Sequence, residues 1–195
     1  MSSAEERLAA LERRIGEALD AQRFDHAAQI TIEGYGPEIL GFLVAVQRNE
    51  VDARDVFSQF SEDLWRGMAT FRRASSMRTW AYKLARSALA RFARDPFRRR
   101  GRRLETEEYS QLVARVSSQI SVERATGKLA AAREALTADD QALLVLRIDR
   151  KMHWNEIAEV MTESDLGVSP GPDAAALRKR FERIKERLRK VVAAG

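Results

Sequence analysis

The chain has 195 residues, 34 Lys and Arg against 29 Asp and Glu, a net charge of +5 and no cysteine, which excludes disulfides, zinc–thiolate sites and thiol catalysis. Its 45% of apolar residues can build a sizeable core, but the longest apolar run, Ile39 to Val46, falls far short of the ~20 residues that span a bilayer. Glu5 and Glu6 near the start do not suit a signal peptide, so a soluble, cytoplasmic protein is expected.

Helical spacing dominates the chain, and Gly and Pro are few. Leu8, Leu11, Ile15 and Leu19 recur at three and four residues, predicting an N-terminal helix that packs on the following domain. Tyr35-Gly-Pro37 suggests a turn before the apolar run. Asp52-Ala-Arg-Asp55 reads as the start of a helix that buries Val56, Phe60, Leu64 and Met68. Ser75 and Ser76 can cap the next helix, which carries Trp80, Tyr82, Leu84, Leu89 and Phe92 and should end at Asp95-Pro96.

A charge reversal from Arg98–Arg103 to Glu105, Glu107 and Glu108 marks a boundary, and 104–127 reads as a partly helical linker. Beyond it, Leu129–Leu136 is one expected helix. Thr137 caps a second that buries Leu143, Leu144, Leu146 and Ile148, and Trp154–Met161 is a third. After the breaker Ser169-Pro-Gly-Pro172, a final helix carries Leu177, Phe181, Ile184, Leu188 and Val191 on one stripe. The fold class expected is all-α.

The charge is unevenly placed. Residues 1–71 hold 7 basic and 13 acidic side chains, whereas 72–103 hold 12 basic and one acidic, and 178–190 hold 8 basic and 2 acidic. Two separate basic elements on amphipathic segments suggest a polyanion touched at two places. No phosphate-binding loop, dinucleotide turn, zinc motif or nucleophile elbow is present, so no enzyme activity, metal or cofactor is expected. His153, three residues before Glu156, reads as a helix-capping residue.

Trp154–Met161 and the final helix have the pattern of a helix-turn-helix, in which the second helix lies in the major groove. Arg178, Lys179, Glu182 and Arg183 fall opposite its apolar stripe and could meet bases or phosphates. A solvated basic face is the alternative. The connection Thr162–Asp173 has twelve residues, longer than the usual 3–4. In the central segment aromatics interleave with arginines, as in single-strand binders, although Trp80 falls in line with Leu84 and so reads as core.

These motifs carry a resemblance. Asp52-Ala-Arg-Asp55-Val-Phe-Ser-Gln-Phe60-Ser-Glu-Asp-Leu64-Trp65 resembles the D-A-x-D-L-x-Q-x-x-F-x-x-L-W helix of bacterial RNA polymerase sigma factors. Ser75-Ser-Met-Arg78-Thr-Trp80-Ala-Tyr82-Lys-Leu-Ala-Arg86 is similar to their S-S-F-R-T-W-L-Y-R-I-A-R helix. Trp154-Asn-Glu156-Ile-Ala158-Glu and Leu177–Arg189 resemble their C-terminal helix-turn-helix. The order and the length suggest the extracytoplasmic-function (ECF) group. The resemblance implies two helical domains on a flexible linker: a region 2-like domain at 28–103 and a region 4-like domain at 128–195, with 1–27 as an N-terminal helical extension and 104–127 as the linker.

The resemblance further implies core RNA polymerase and promoter DNA as partners, with an anti-sigma factor as a further candidate, and a role in promoter opening and transcription initiation. Asp52, Asp55, Phe60 and Leu64 would face polymerase, the alternative for Phe60 and Leu64 being that they serve only the internal core. Arg78, Arg86, Ser87, Arg91 and Arg94 would line the downstream (−10) element, the 71–77 loop would capture a flipped base, and Arg178, Lys179, Glu182 and Arg183 would read the upstream (−35) element. The alternative is a stand-alone helix-turn-helix regulator that acts as a dimer without polymerase.

Overall fold

The apolar run at Ile39 lies in the middle of one long helix. In the computed structural model, which describes residues 3–94, 107–118, 136–162 and 171–193, this is α2 (Phe24–Gln47). It follows α1 (Ser3–Asp20) and precedes α3 (Glu50–Gly67), α4 (Met77–Arg94), α5 (Glu107–Ser118), α6 (Ala138–Leu144), α7 (Trp154–Met161) and α8 (Ala174–Ala193). The fold is all-α, with no strand among the described residues.

α2 is the central post. It is apolar on nearly every side because α1, α3, α4, α5 and α6 all pack around it. This burial explains why Tyr35-Gly-Pro37 is not a turn, as the local sequence suggests. Pro37 lies inside the helix, where it removes one backbone hydrogen bond and crowds the preceding turn. The surrounding packing outweighs that local cost. Gly36 has a packing role: a Cβ there would come within 2.9 Å of Val116 on α5 and 3.3 Å of Phe57 on α3. α2 ends at Arg48, whose left-handed backbone (φ 58°) lets its N–H reach the Val44 carbonyl.

α3 starts earlier than the aspartates suggest. Asn49 is its N-cap, accepting from the N–H groups of Val51 and Asp52 at 2.9 and 3.2 Å. Asp52 therefore sits in the first turn, where its charge favours the positive helix end. Ala53, Val56, Phe57, Phe60 and Leu64 form the buried stripe, and Met68 follows in a short 3-10 turn.

Within the expected linker, residues 107–118 form the ordered helix α5. Its Tyr109, Leu112, Val113 and Val116 are buried against α2 and α3, and the Tyr109 hydroxyl donates to the Ser61 carbonyl at 2.9 Å. Arg54 on α3 donates to Ser117 Oγ at 2.6 Å. Residues 129–135 of the expected helix at 129–136, and the stop at Asp95-Pro96, lie outside the described residues.

α6 is capped as expected, Thr137 Oγ1 accepting from the Asp140 N–H at 3.2 Å. The helix then widens into a π-turn, Val145–Asp149. The wider turn rotates the following residues about the axis, so Ile148, expected in the core, is 47% exposed. His153 is the N-cap of α7, and Glu156 accepts from its backbone N–H at 2.8 Å. Asp173 starts α8 by accepting from the Ala176 N–H at 2.6 Å. α6 rests on α2 and α7 rests on α4, so the buried residues of the C-terminal helices join those of α1–α5 in one continuous core.

Candidate nucleic-acid interface

α4 projects the central basic residues, and its start is held with unusual care. Ser76 Oγ accepts from the Thr79 N–H at 3.1 Å. The carboxylate of Glu12, from α1, accepts from the Met77 and Arg78 N–H groups at 3.0 and 2.9 Å, so two side chains satisfy the orphan donors of the first turn. Trp80 is part of the structure: Gly67 lies under its indole, and Phe71 packs on it at 4.9 Å between ring centres.

The arginines of α4 differ in their freedom. Arg78 is bidentate to Glu38 of α2 at 2.8 and 3.0 Å, also donates to the Arg150 carbonyl at 3.2 Å, and is only 14% exposed. Burial opposes its charge, but Glu38 more than compensates and holds its pKa above the ordinary arginine value. Arg78 is thus held in an internal pair. Arg86 is 15% exposed and paired with Asp139 of α6 at 3.0 Å, the aspartate itself being half exposed. Ser87 and Arg91 are half-buried, with Arg91 bonded to Asp63, and Arg94 is exposed.

The second basic element is open. Arg178, Lys179, Glu182 and Arg183 are all exposed on α8, while Leu177, Phe181 and Ile184 are buried beneath them. The Arg178 guanidinium lies 5.9 Å from the centre of the Trp154 ring, and Glu182 pairs with Lys185 at 2.8 Å. Arg180 and Arg187 turn to Asp140 at 2.7 and 3.4 Å and so help clamp α8 to α6.

The four residues expected to face polymerase do not share a surface. Asp52 is half-buried and Asp55 exposed, but Phe60 and Leu64 are 1% and 0% exposed. Both lie in the interior, on the same stripe as Val56. Val51, 70% exposed beside Asp52 and Asp55, is an apolar surface residue that the sequence pattern did not single out. Nor did it single out Glu12, Glu38 or Asp139, whose importance depends on contacts between distant helices.

Residues 31–103, which take in α2 from Thr31 onward, all of α3 and α4 and their connecting loops, match the family Sigma-70 region 2. The match covers 73 of the 195 residues and marks this stretch as similar to a sigma-70 region 2 domain. A region 2 domain supports a role in promoter recognition with RNA polymerase, with core polymerase and promoter DNA as the partners that domain implies. No curated protein matches the chain. Among the described residues no helix is long and apolar enough to cross a membrane, and no cluster of metal-ligating side chains occurs.

Proposed function

We propose that this chain is an ECF-type sigma factor that binds core RNA polymerase, opens the promoter and starts transcription. The region 2 match over residues 31–103 carries the reading. In it, the exposed start of α3, with Asp52, Asp55 and Val51, docks on the clamp helices of the largest polymerase subunit. Arg86, Ser87, Arg91 and Arg94 follow the downstream element. The 71–77 loop takes a base from the opened strand, at an unstacking cost of a few kcal/mol that bound polymerase and basic side chains must offset. The outer face of α8 meets the upstream element as duplex, and no step is catalysed by the chain itself.

The packing of α7 on α4 gives this mechanism an ordering. Arg86 is engaged by Asp139, so engagement of the downstream element exchanges that carboxylate for phosphate and moves α6 and α7 away from α4.

The deciding experiment is co-purification with core RNA polymerase followed by transcription from a selected promoter library. Stable capture with promoter-specific initiation is the expected result. Binding to duplex DNA as a dimer, with no polymerase captured, would establish the stand-alone regulator instead.

A further inference from the structure

The N-terminal helix α1 makes an unexpected set of contacts with the loop that precedes α4. Glu12 Oε1 accepts from the Tyr35 hydroxyl at 2.7 Å and from the Arg78 N–H, while Oε2 accepts from the Met77 N–H. One carboxylate thus joins α1, α2 and the first turn of α4. One turn further on, Arg73 of the loop donates to the Gly16 carbonyl at 3.1 Å and to Asp20 at 2.7 Å. Arg73 has a left-handed backbone, with φ 55°. Non-glycine residues hold that conformation only where their surroundings over-determine it, and such positions cluster at functional sites. Here α1 supplies part of that restraint and the Phe71–Trp80 packing fixes the loop's other end.

Between α1 and the loop lies a cavity of about 220 Å³. Glu12, Ile15, Gly16 and Leu19 line it on the α1 side, with Phe71, Arg73 and Ser75 across from them. Its lining mixes apolar surface with a hydroxyl, a guanidinium and the Glu12 carboxylate, which suits a flat heterocycle with polar edges. It opens beside exposed Arg72 and Arg73 in the most basic stretch of the chain, which suits a phosphate-linked ligand.

We infer that α1 is the second wall and the brace of a pocket for one unpaired nucleobase of the opened strand, with Glu12 and Asp20 as positioning residues that set the geometry of the 71–76 loop. The inference rests on the sigma-factor reading and adds a role for α1 in base preference. Glu12 has no need to touch the base. It fixes the two amides at which the loop becomes helix, and Asp20 fixes the guanidinium on the opposite rim.

Gly16 provides the sharpest test, because a Cβ there would meet nothing within 4 Å. Gly16→Leu can therefore narrow the cavity while improving helix propensity. Glu12→Gln removes the charge, while Ser76 still caps α4. Asp20→Asn alters an exposed partner and should leave the fold intact. The full chain and each variant are compared in polymerase-dependent opening of a promoter library randomised in the downstream element, beside a library randomised in the upstream element and thermal unfolding followed by circular dichroism.

The expected result is a loss of preference at one downstream position, about tenfold, the scale of one good base contact. Upstream preference and polymerase capture should stay at wild-type values. Unchanged downstream preference in folded Gly16→Leu and Asp20→Asn, or a loss spread evenly over all positions, overturns the inference and leaves α1 as packing. If wild type itself captures no polymerase, the sigma-factor reading fails first and this inference with it. If Glu12→Gln does not fold, the other two variants decide.

Discussion

Arg86 of α4 and Asp139 of α6 pair at 3.0 Å, and through this pair the C-terminal helices hold an arginine of the basic helix that is only 15% exposed. Arg180 of α8 approaches the same aspartate at 4.0 Å. One carboxylate thus touches both basic elements, and it is half exposed. Pairs of this kind stabilise by only about 0–1 kcal/mol, so the contact can hold the helices together without locking them.

Asp139→Ala should release Arg86 and bind single-stranded DNA more tightly. The gain should be a few-fold at low salt, shrinking as salt rises because added phosphate contacts release counterions. Fluorescence anisotropy with a labelled single-stranded oligonucleotide measures it. The melting temperature should change little. Equal affinity in wild type and variant at every salt concentration would take Arg86 off the DNA path.

Phe60 and Asp55 lie on opposite sides of α3 and should separate stability from docking. Phe60→Ala empties a fully buried site beside Phe57 and should cost about 3–5 kcal/mol in denaturant unfolding. Asp55→Lys, on the exposed side, should leave unfolding nearly unchanged and weaken capture of core polymerase. The reverse pattern, with capture lost in folded Phe60→Ala and kept in Asp55→Lys, would move the docking surface away from the start of α3.

The chain's three tyrosines, Tyr35, Tyr82 and Tyr109, are all buried, and burial pushes each phenol above its ordinary pKa. Glu12 raises Tyr35 further through a hydrogen bond, and Glu38 raises Tyr82 further through its charge. The unfolded chain releases these protons near pH 10 while the folded chain keeps them. Stability is therefore fully present below about pH 10 and falls as the pH rises beyond it. Phenolate absorbance and loss of helical circular dichroism should rise together in an alkaline titration. Phenolate appearing near pH 10 with helix content intact would show that the phenols are accessible.

Much of this architecture is legible in the sequence, and particular residues show where legibility stops. α7 and the stripe of α8 follow from three- and four-residue apolar spacing. The Thr137 and Ser76 caps follow from hydroxyls placed just before that spacing begins. Tyr109, Leu112, Val113 and Val116 have the same spacing, so α5 was readable too, although the charge reversal before it suggests a linker. Pro37 misleads because its cost is local and the burial that outweighs it comes from five other helices. Ile148 misleads because a π-turn changes the helical phase. Glu12, Glu38 and Asp139 look like any surface carboxylates until the fold brings them to Met77, Arg78 and Arg86. In the candidate interface the composition points to the basic helices, but which arginines are free is a property of the packing.

The outer face of α8 gives the last prediction. Leu177, Phe181 and Ile184 hold it to the core, and Arg180 and Arg187 add a polar clamp through Asp140, so the helix has one orientation. Arg178, Lys179 and Arg183 are left outward over successive turns. If they meet base edges, Lys179→Ala and Arg183→Ala should each change preference at one or two adjacent positions, by about 1–3 kcal/mol per good contact. If they meet phosphate alone, both variants should weaken all sequences alike and reduce the salt slope by about one each. Arg180→Ala is the control: its side chain faces Asp140, so it should lower the melting temperature and leave sequence preference intact. We expect changed preferences for Lys179 and Arg183. Glu182 should contribute least, since Lys185 already engages its carboxylate and a free one near DNA is repelled unless it accepts from a cytosine amine. A randomised upstream library selected with wild type and each variant separates these outcomes. The same preferred sequence from all of them, with uniformly lower affinity, would show that the twelve residues between α7 and α8 hold this face off the bases.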